Sequence, residues 1–373
     1  MSEEHAAVRD EDAFDVERVA AWLRENAADA TDLDGIPEVR QFVGGASNLT
    51  YLLRYPGPAA GATVADAARP ASAGRDLVLR RPPAGTKAKG AHDMRREHDL
   101  QAALRAAFPL VPAMVAHCGD ESVIGSEFYV MERIEGTILR RDIPPALGLD
   151  ADGVKALCRN AIDTLVRLHD VDLTASGLST LDRGDGYVRR QVEGWSGRYR
   201  RARTSDVGDF EATMAWLDAH QPRDRPHVLV HSDFRLDNIV LDPDDPTRVV
   251  GVLDWELATV GDPLMDLGTA LTYWVQADDD PVTVAARLQP THTPGMMTRA
   301  EVLEHYVTAR GLDVTPQEWL FYEAFGMFRL AGIAQQIYHR YRNGQTSNPA
   351  YAPFGDVVRA LDARCTALLA PQP

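Results

Sequence analysis

Within a half of the chain that otherwise reads as helix, two short aliphatic runs stand close together: Ile239-Val240-Leu241 and Val249-Val250-Gly251-Val252-Leu253, separated by the turn-rich stretch Asp242 to Arg248. Such runs, bounded by proline and aspartate, predict a pair of strands joined by a tight turn. A hairpin brings its ends together, and here both ends carry chemistry. His231-Ser232-Asp233-Phe234-Arg235-Leu236-Asp237-Asn238 leads into the first run and Asp254 closes the second. Two carboxylates and an amide can therefore converge on one point, which is what phosphoryl transfer needs: an acid to take the acceptor's proton, and hard oxygens for magnesium. Alternatively, Asp and Asn in loops commonly cap turns, so the spacing alone leaves that reading open.

The rest of the chain supplies two unlike halves. A helix is expected from Phe14 to about Ala28, with Val16, Val19, Ala20 and Leu23 on one face. Strands follow at Val39–Val43 and Leu49–Tyr55, joined by Gly44-Gly45-Ala46-Ser47-Asn48. The Ala, Pro and Gly of 56–74 predict an inserted hairpin. A third strand, Asp76–Arg81, must stop at Pro82-Pro83, because proline cannot donate to a ladder. A helix over Asp93–Ala107 and strands at Met114–Cys118 and Glu127–Ile134 complete a small α+β lobe. Beyond it, Ala151–His169, Tyr187–His220 and Glu301–Arg342 carry helical periodicity, with Val228–Asp254 as the one β island. The expected division is 1–134 and 135–373.

Charge and cysteine usage narrow the function classes. With 39 basic against 55 acidic residues the formal net charge is −16, the wrong sign for a general binder of nucleic acid or anionic membranes. Only Lys87, Lys89 and Lys155 are lysines. Cys118, Cys158 and Cys365 are isolated from one another and from histidine pairs, so they read as buried thiols rather than zinc ligands or bridges. The acidic first residues do not resemble a secretory leader, and no apolar run approaches membrane-spanning length, which predicts a cytoplasmic protein. A metal hydrolase is disfavoured, because no histidines are spaced for zinc.

The run HSDFRLDN followed by GVLDWELATVGDPLMDL resembles the catalytic and metal-binding segments of the aminoglycoside phosphotransferase family. FVGGASNLTYLLR, LVLRRPP, RREHDLQAAL, FYVMERIEGTIL and FRLAGIAQQIYHRYRNG are similar, in order, to that family's nucleotide-covering hairpin, third strand, following helix, hinge and last long helices. The likeness is strongest to the branch that includes the kinase-like domain fused to some acyl-CoA dehydrogenases. It implies a protein-kinase-like two-lobe α+β fold, with an antiparallel sheet and one helix in the small lobe and a larger, mainly helical second lobe. It further implies a magnesium-dependent kinase using ATP or GTP on a hydroxyl of a small molecule such as an amino alcohol, sugar, aminoglycoside or hydroxylated acyl-CoA. Asp233 would be the catalytic acid, Asn238 and Asp254 the magnesium ligands, and Glu97 the helix acid that orients the strand cation. His231 would be structural, as a packed histidine usually is, and Asp266 would support the catalytic loop, its alternative being a solvent-facing acid.

One departure concerns that cation. The third strand carries Arg80-Arg81 where the family often has lysine, and strand alternation favours Arg80 for the role, leaving Arg81 to solvent. Arginine can still hold phosphates and pair with Glu97. A non-catalytic nucleotide-binding pseudokinase is the competing reading. Gly44 and Gly45 allow backbone amides to approach a phosphate, or simply make a turn, and Ser47 and Asn48 are possible donors. Glu132 to Ile134 would offer backbone groups to adenine. Arg189, Arg190, Arg198 and Arg200, with Trp195 and Tyr199, suggest either an anionic acceptor or a solvated helix face.

Overall fold

The computed structural model describes residues 5–42, 48–57, 74–83, 93–346 and 348–370. The chain divides into two compact units, Met1–Glu135 and Gly136–Pro373. Gly44, Gly45, Ser47, the loop lysines Lys87 and Lys89, and most of the 56–74 insertion lie outside the described residues.

The first unit contains β1 (His5–Ala6), α1 (Val16–Asn26), β2 (Glu38–Phe42), β3 (Leu49–Tyr55), β4 (Arg75–Arg81), α2 (Met94–Leu104), β5 (Met114–Cys118) and β6 (Phe128–Glu132). The strands form one antiparallel sheet in the order β1-β2-β3-β4-β6-β5. Asp15 and Asp93 start the two helices by accepting the amides of Arg18 and Arg96. The period of two in the strands explains both faces of the sheet. Tyr51, Leu53, Tyr55, Leu77, Leu79, Phe128 and Val130 pack with Val19 and Leu23 of α1, while Val78, Tyr129 and Met131 pack with Met94 of α2. On β4 the same alternation sends Arg80 and Arg81 in opposite directions.

Arg81 is not solvated. It is 9% exposed, donates to the Tyr51 hydroxyl and the Asp12 carbonyl, and lies 5.5 Å from the Phe14 ring and 5.4 Å from the Tyr51 ring. Strand alternation predicted its side correctly, but the N-terminal segment covers that side. The strand expected over Glu127–Ile134 is shorter, Phe128–Glu132, although the Arg133 amide still bonds to the Asp76 carbonyl of β4.

The second unit contains β7 (Thr137–Ile138), α3 (Ala151–His169), α4 (Tyr187–Ala202), α5 (Glu211–Ala219), β8 (Val228–Val230), β9 (Ile239–Leu241), β10 (Val249–Val252), β11 (Thr259–Gly261), α6 (Pro263–Thr272), α7 (Pro281–Ala285), α8 (Arg299–Arg310), α9 (Pro316–Arg342) and α10 (Phe354–Leu369). The β island is two sheets: β9 pairs with β10 and also takes β7, whereas β8 pairs with β11, beyond Asp254. The stretch expected to be helical from Tyr187 to His220 breaks between α4 and α5, where Phe210 adopts φ 54°. α6 and α9 approach closely at glycines. A Cβ at Gly326 would stand 2.3 Å from Thr272 Oγ1 and 2.6 Å from the Gly268 carbonyl, so neither helix could carry a larger side chain there without moving apart. That approach matters because α6 carries Asp266 and α9 carries Arg329. Cys118, Cys158 and Cys365 are free and buried.

Candidate active site

β8 delivers the chain into a loop whose shape is imposed from beneath. Asp266, buried in the first turn of α6, accepts the His231 amide at 2.8 Å and the Ser232 amide at 2.7 Å. Its Oδ2 also meets His169 Nε2 at 3.1 Å, and His169 Nδ1 meets the Tyr306 hydroxyl at 2.5 Å. Burial alone would raise the Asp266 pKa, but the His169 hydrogen bond and the nearby histidines outweigh it and hold the carboxyl below its ordinary range. Ser232 has φ 66°, a left-handed conformation costly for a non-glycine residue. Both of its backbone polar groups are gripped, the amide by Asp266 and the carbonyl by Arg329 Nη2 at 2.9 Å.

His231 is fully buried. Its Nε2 meets the Leu253 carbonyl at 2.9 Å, its Nδ1 accepts the Asp233 amide at 3.3 Å, and its ring lies edge-on to Trp255 with centroids 4.8 Å apart. With Nδ1 accepting and Nε2 facing a carbonyl, the neutral ring carries its proton on Nε2. His231 therefore ties the loop before β9 to the end of β10.

Asp233 emerges from this support. Asn238 Nδ2 donates to the Asp233 carbonyl at 2.9 Å and to its Oδ2 at 3.1 Å. Arg235 Nε lies 3.4 Å from Asp233 Oδ1 and 3.3 Å from Asp237 Oδ1, and its guanidinium sits 4.7 Å from the Tyr273 ring centroid. Burial pushes the Asp237 carboxyl up, against the pull of Arg235. Burial likewise works against the Arg235 charge, but Asp233 and Asp237 overcome it and raise its pKa. Gln289 accepts the Leu236 amide at 2.8 Å and donates to the Tyr273 carbonyl at 3.1 Å, fixing the segment between the two acids.

Asp254 closes the arrangement. The Leu253 amide donates to the Asn238 carbonyl at 2.8 Å, so the residue before Asp254 is bonded directly to Asn238. Asp254 itself takes φ 66° and ψ 65°, and its charge acts on Arg235, which also serves Asp233. Aspartate tolerates this left-handed geometry better than most residues. Among the described residues, no group of three or more His, Cys, Asp or Glu side chains is placed to hold a metal. Asn238 and Asp254 offer two hard oxygen donors, with the Asn238 amide nitrogen already committed to Asp233. Such a sparse oxygen set does not suit zinc, but it suits magnesium, which keeps waters and takes phosphate oxygens.

In the first unit Arg80 Nη1 donates to Glu97 Oε1 at 2.7 Å, the two side chains being 10% and 2% exposed. Tyr129 donates to the same oxygen at 2.7 Å, and Gln101 donates to the Glu97 carbonyl at 3.0 Å. Asn48 is buried at the entry to β3. Glu132 is occupied within its own sheet: its amide donates to the Ala113 carbonyl at 2.8 Å and its carboxylate takes Arg75 at 2.5 Å. Ile134 follows the end of β6 and is half-buried.

Tyr199, expected either at an anionic acceptor or on a solvated helix face, is fully buried and donates to the Gly208 carbonyl at 2.7 Å. Arg200 is exposed and paired with Glu211, and Arg190 bonds to the Gly184 carbonyl. Conversely, sequence reasoning gave no role to His169, Arg235, Tyr273, Gln289 or Arg329. Only Arg235 had a local signal, an arginine two residues from an aspartate on either side. The others lie far along the chain from the loop they hold.

A profile described as the phosphotransferase enzyme family matches residues 38–303. A mouse protein named acyl-CoA dehydrogenase family member 10 is 34% identical over 331 residues, covering 89% of this chain and 29% of its own length. A chicken protein named acyl-CoA dehydrogenase family member 11 is 35% identical over 332 residues, covering 88% of this chain and 40% of its own. The chain thus spans less than half the length of these curated relatives. A solved structure from Ralstonia eutropha JMP134, described as a candidate aminoglycoside phosphotransferase, is 30% identical, covers 95% of this chain and 98% of that one, and has a TM-score of 0.74.

Proposed function

The chain belongs to the phosphotransferase enzyme family and has its protein-kinase-like fold, and from that premise we propose that it transfers the γ-phosphoryl group of ATP or GTP to a hydroxyl of a small molecule. The observation that carries the reading is the convergence in the second unit: Asn238 bonded to Asp233 through its side chain and to Leu253 through its backbone, with Asp254 next in sequence.

In this reading Asp233 accepts the proton of the acceptor hydroxyl as the oxygen attacks phosphorus. Asn238 and Arg235 hold the carboxylate in place, and Asp266 and Arg329 fix the loop that presents it. Asn238 and Asp254 would hold magnesium, which when bound neutralises charge on the transferring phosphates. Arg80, positioned by Glu97 and Tyr129, would take the strand-cation role toward the nucleotide phosphates, with permanent charge and a fork of donors. Gly44, Gly45, Ser47 and Asn48 are proposed to face the phosphates. Adenine or guanine would be read by backbone groups around Ile134, the Glu132 amide being in use.

The test separates the two acids. Asp233→Ala should cut turnover by about 100- to 10,000-fold while nucleotide affinity, read by calorimetry, stays near wild type, because the acid serves the acceptor. Asp254→Ala should weaken magnesium-dependent nucleotide binding as well. Equal and mild losses in both variants would contradict the assignment. Nucleotide binding without turnover on any hydroxyl compound would favour a regulatory pseudokinase.

A further inference from the structure

The second unit concentrates positive charge in one place beside the Asp233 loop. Trp195, on α4, is half-buried, with the Arg198 guanidinium 4.0 Å and the Arg329 guanidinium 5.3 Å from its ring centroid. Gly332, one turn beyond Arg329 on α9, makes room for the indole: a Cβ there would lie 3.0 Å from Trp195 Cε3. Arg329 is 7% exposed and reaches the Ser232 carbonyl, one residue before Asp233. Arg198 is half-buried, and its buried Nε makes no hydrogen bond.

The charges around Arg198 are of one sign. Burial depresses its pKa, and the charged groups that add to the effect are Arg329 and Arg201. By contrast, two other half-buried arginines of this unit have acids: Arg235 has Asp233 and Asp237, and Arg299 has Asp279. Desolvating two like charges against one indole is unfavourable unless an anion joins them, or unless the cation–π contacts offset the cost, and these return only about 0.5–2 kcal/mol. A chain of net charge −16 has no shortage of acids, yet none is among the charged groups that shift Arg198.

The geometry points to an anion subsite formed by Arg198, Trp195 and Arg329 that binds a carboxylate or phosphate group of the acceptor while its hydroxyl is presented to Asp233. The inference rests on the kinase reading for the role of the subsite, though not for its existence. It makes the acceptor an anionic hydroxyl compound rather than a polycation, since an aminoglycoside ammonium brought to this cluster would meet two guanidinium groups. Arginine suits the task because its planar fork can hold two oxygens of a carboxylate or phosphate at once.

The experiment titrates the full chain, saturated with ADP and magnesium so that the nucleotide site is filled, with glycerol 3-phosphate, D-glycerate, citrate and neutral glycerol by calorimetry. At least one anion should bind where glycerol does not. Arg198→Gln should weaken that binding about 10- to 100-fold, the loss expected for one charge-assisted pair, and Arg198→Lys should restore part of it. Which anion binds best distinguishes a carboxylate from a phosphate as the preferred group. Circular dichroism melting checks that the half-exposed Arg198 has not been needed for folding. Failure of all three anions to bind the wild type, or equal binding by wild type and Arg198→Gln, overturns the subsite. In turnover assays on acceptors that differ only in the anionic group, Arg198→Gln should raise KM for the anionic member with little change in kcat. An absence of turnover with anion binding intact would sink the kinase reading and leave the subsite standing.

Discussion

At the scale of single residues, Asp233, the proposed catalytic acid, is surrounded in the second unit by groups that hold it in place. Asp233 has one oxygen on Asn238 and the other near Arg235, so its direction is fixed from two sides. In the first unit the comparable point is Glu97, which holds Arg80 and receives Tyr129. Glu97→Gln should keep a hydrogen-bonding side chain but strip the charge from a buried pair, at a cost of about 3 kcal/mol in chemical denaturation. A midpoint unchanged from wild type would show the pair to be dispensable. As candidates, Asp233 and Asn238 were legible from spacing, Arg80 from strand alternation and Glu97 from the family resemblance. The fate of Arg81 was not, because alternation tells which face of a strand a side chain takes and not whether that face is covered, and the Phe14 segment that covers it is remote in sequence.

At the scale of elements, segments with a clear apolar pattern were readable and most of the shortest strands were not. α3 and β3 match their expected bounds because each carries several turns or alternations of apolar signal. β1, β7 and β11 have two or three residues each, too few for any period, and form only because a partner strand lies ready. β11 in turn sets α6, with Asp262 at its N-cap and Asp266 one turn in. Asp266→Asn should lower stability by about 3 kcal/mol, through loss of a buried charge that serves two amides and His169. The pH sign follows from the depressed pKa of Asp266. Its contribution is complete above the unfolded carboxylate value near ~3.9 and fades as pH falls through the lower folded value. Wild type should therefore lose stability below about pH 4 more steeply than Asp266→Asn. Parallel acid-unfolding curves would deny Asp266 that role.

At the scale of the whole molecule, one chain provides two compact units with different work: an antiparallel sheet that buries an arginine–glutamate pair, and a helical body that grips a strained loop. No helix among the described residues is long and apolar enough to cross a membrane. The order of the longer strands and the helices of the first unit was visible in the sequence, whereas the holding contacts of His169 and Arg329 were not, since they join residues 97 positions apart in the chain in each case, His169 to Asp266 and Arg329 to Ser232. The acceptor side was least legible of all, because it depends on which arginines find acids and which do not. The activity proposed for the whole molecule is phosphoryl transfer by Asp233 with magnesium. The most direct measurement is release of ADP from ATP, or of GDP from GTP, by the wild-type chain with magnesium, across a panel of hydroxylated small molecules, repeated after chelation and with Asp233→Asn. Phosphoryl transfer through Asp233 and magnesium should give acceptor-dependent nucleoside diphosphate formation that chelation abolishes and that Asp233→Asn lowers by about 100-fold or more. Acceptor-dependent turnover that survives chelation, or that proceeds at the wild-type rate in Asp233→Asn, would contradict it.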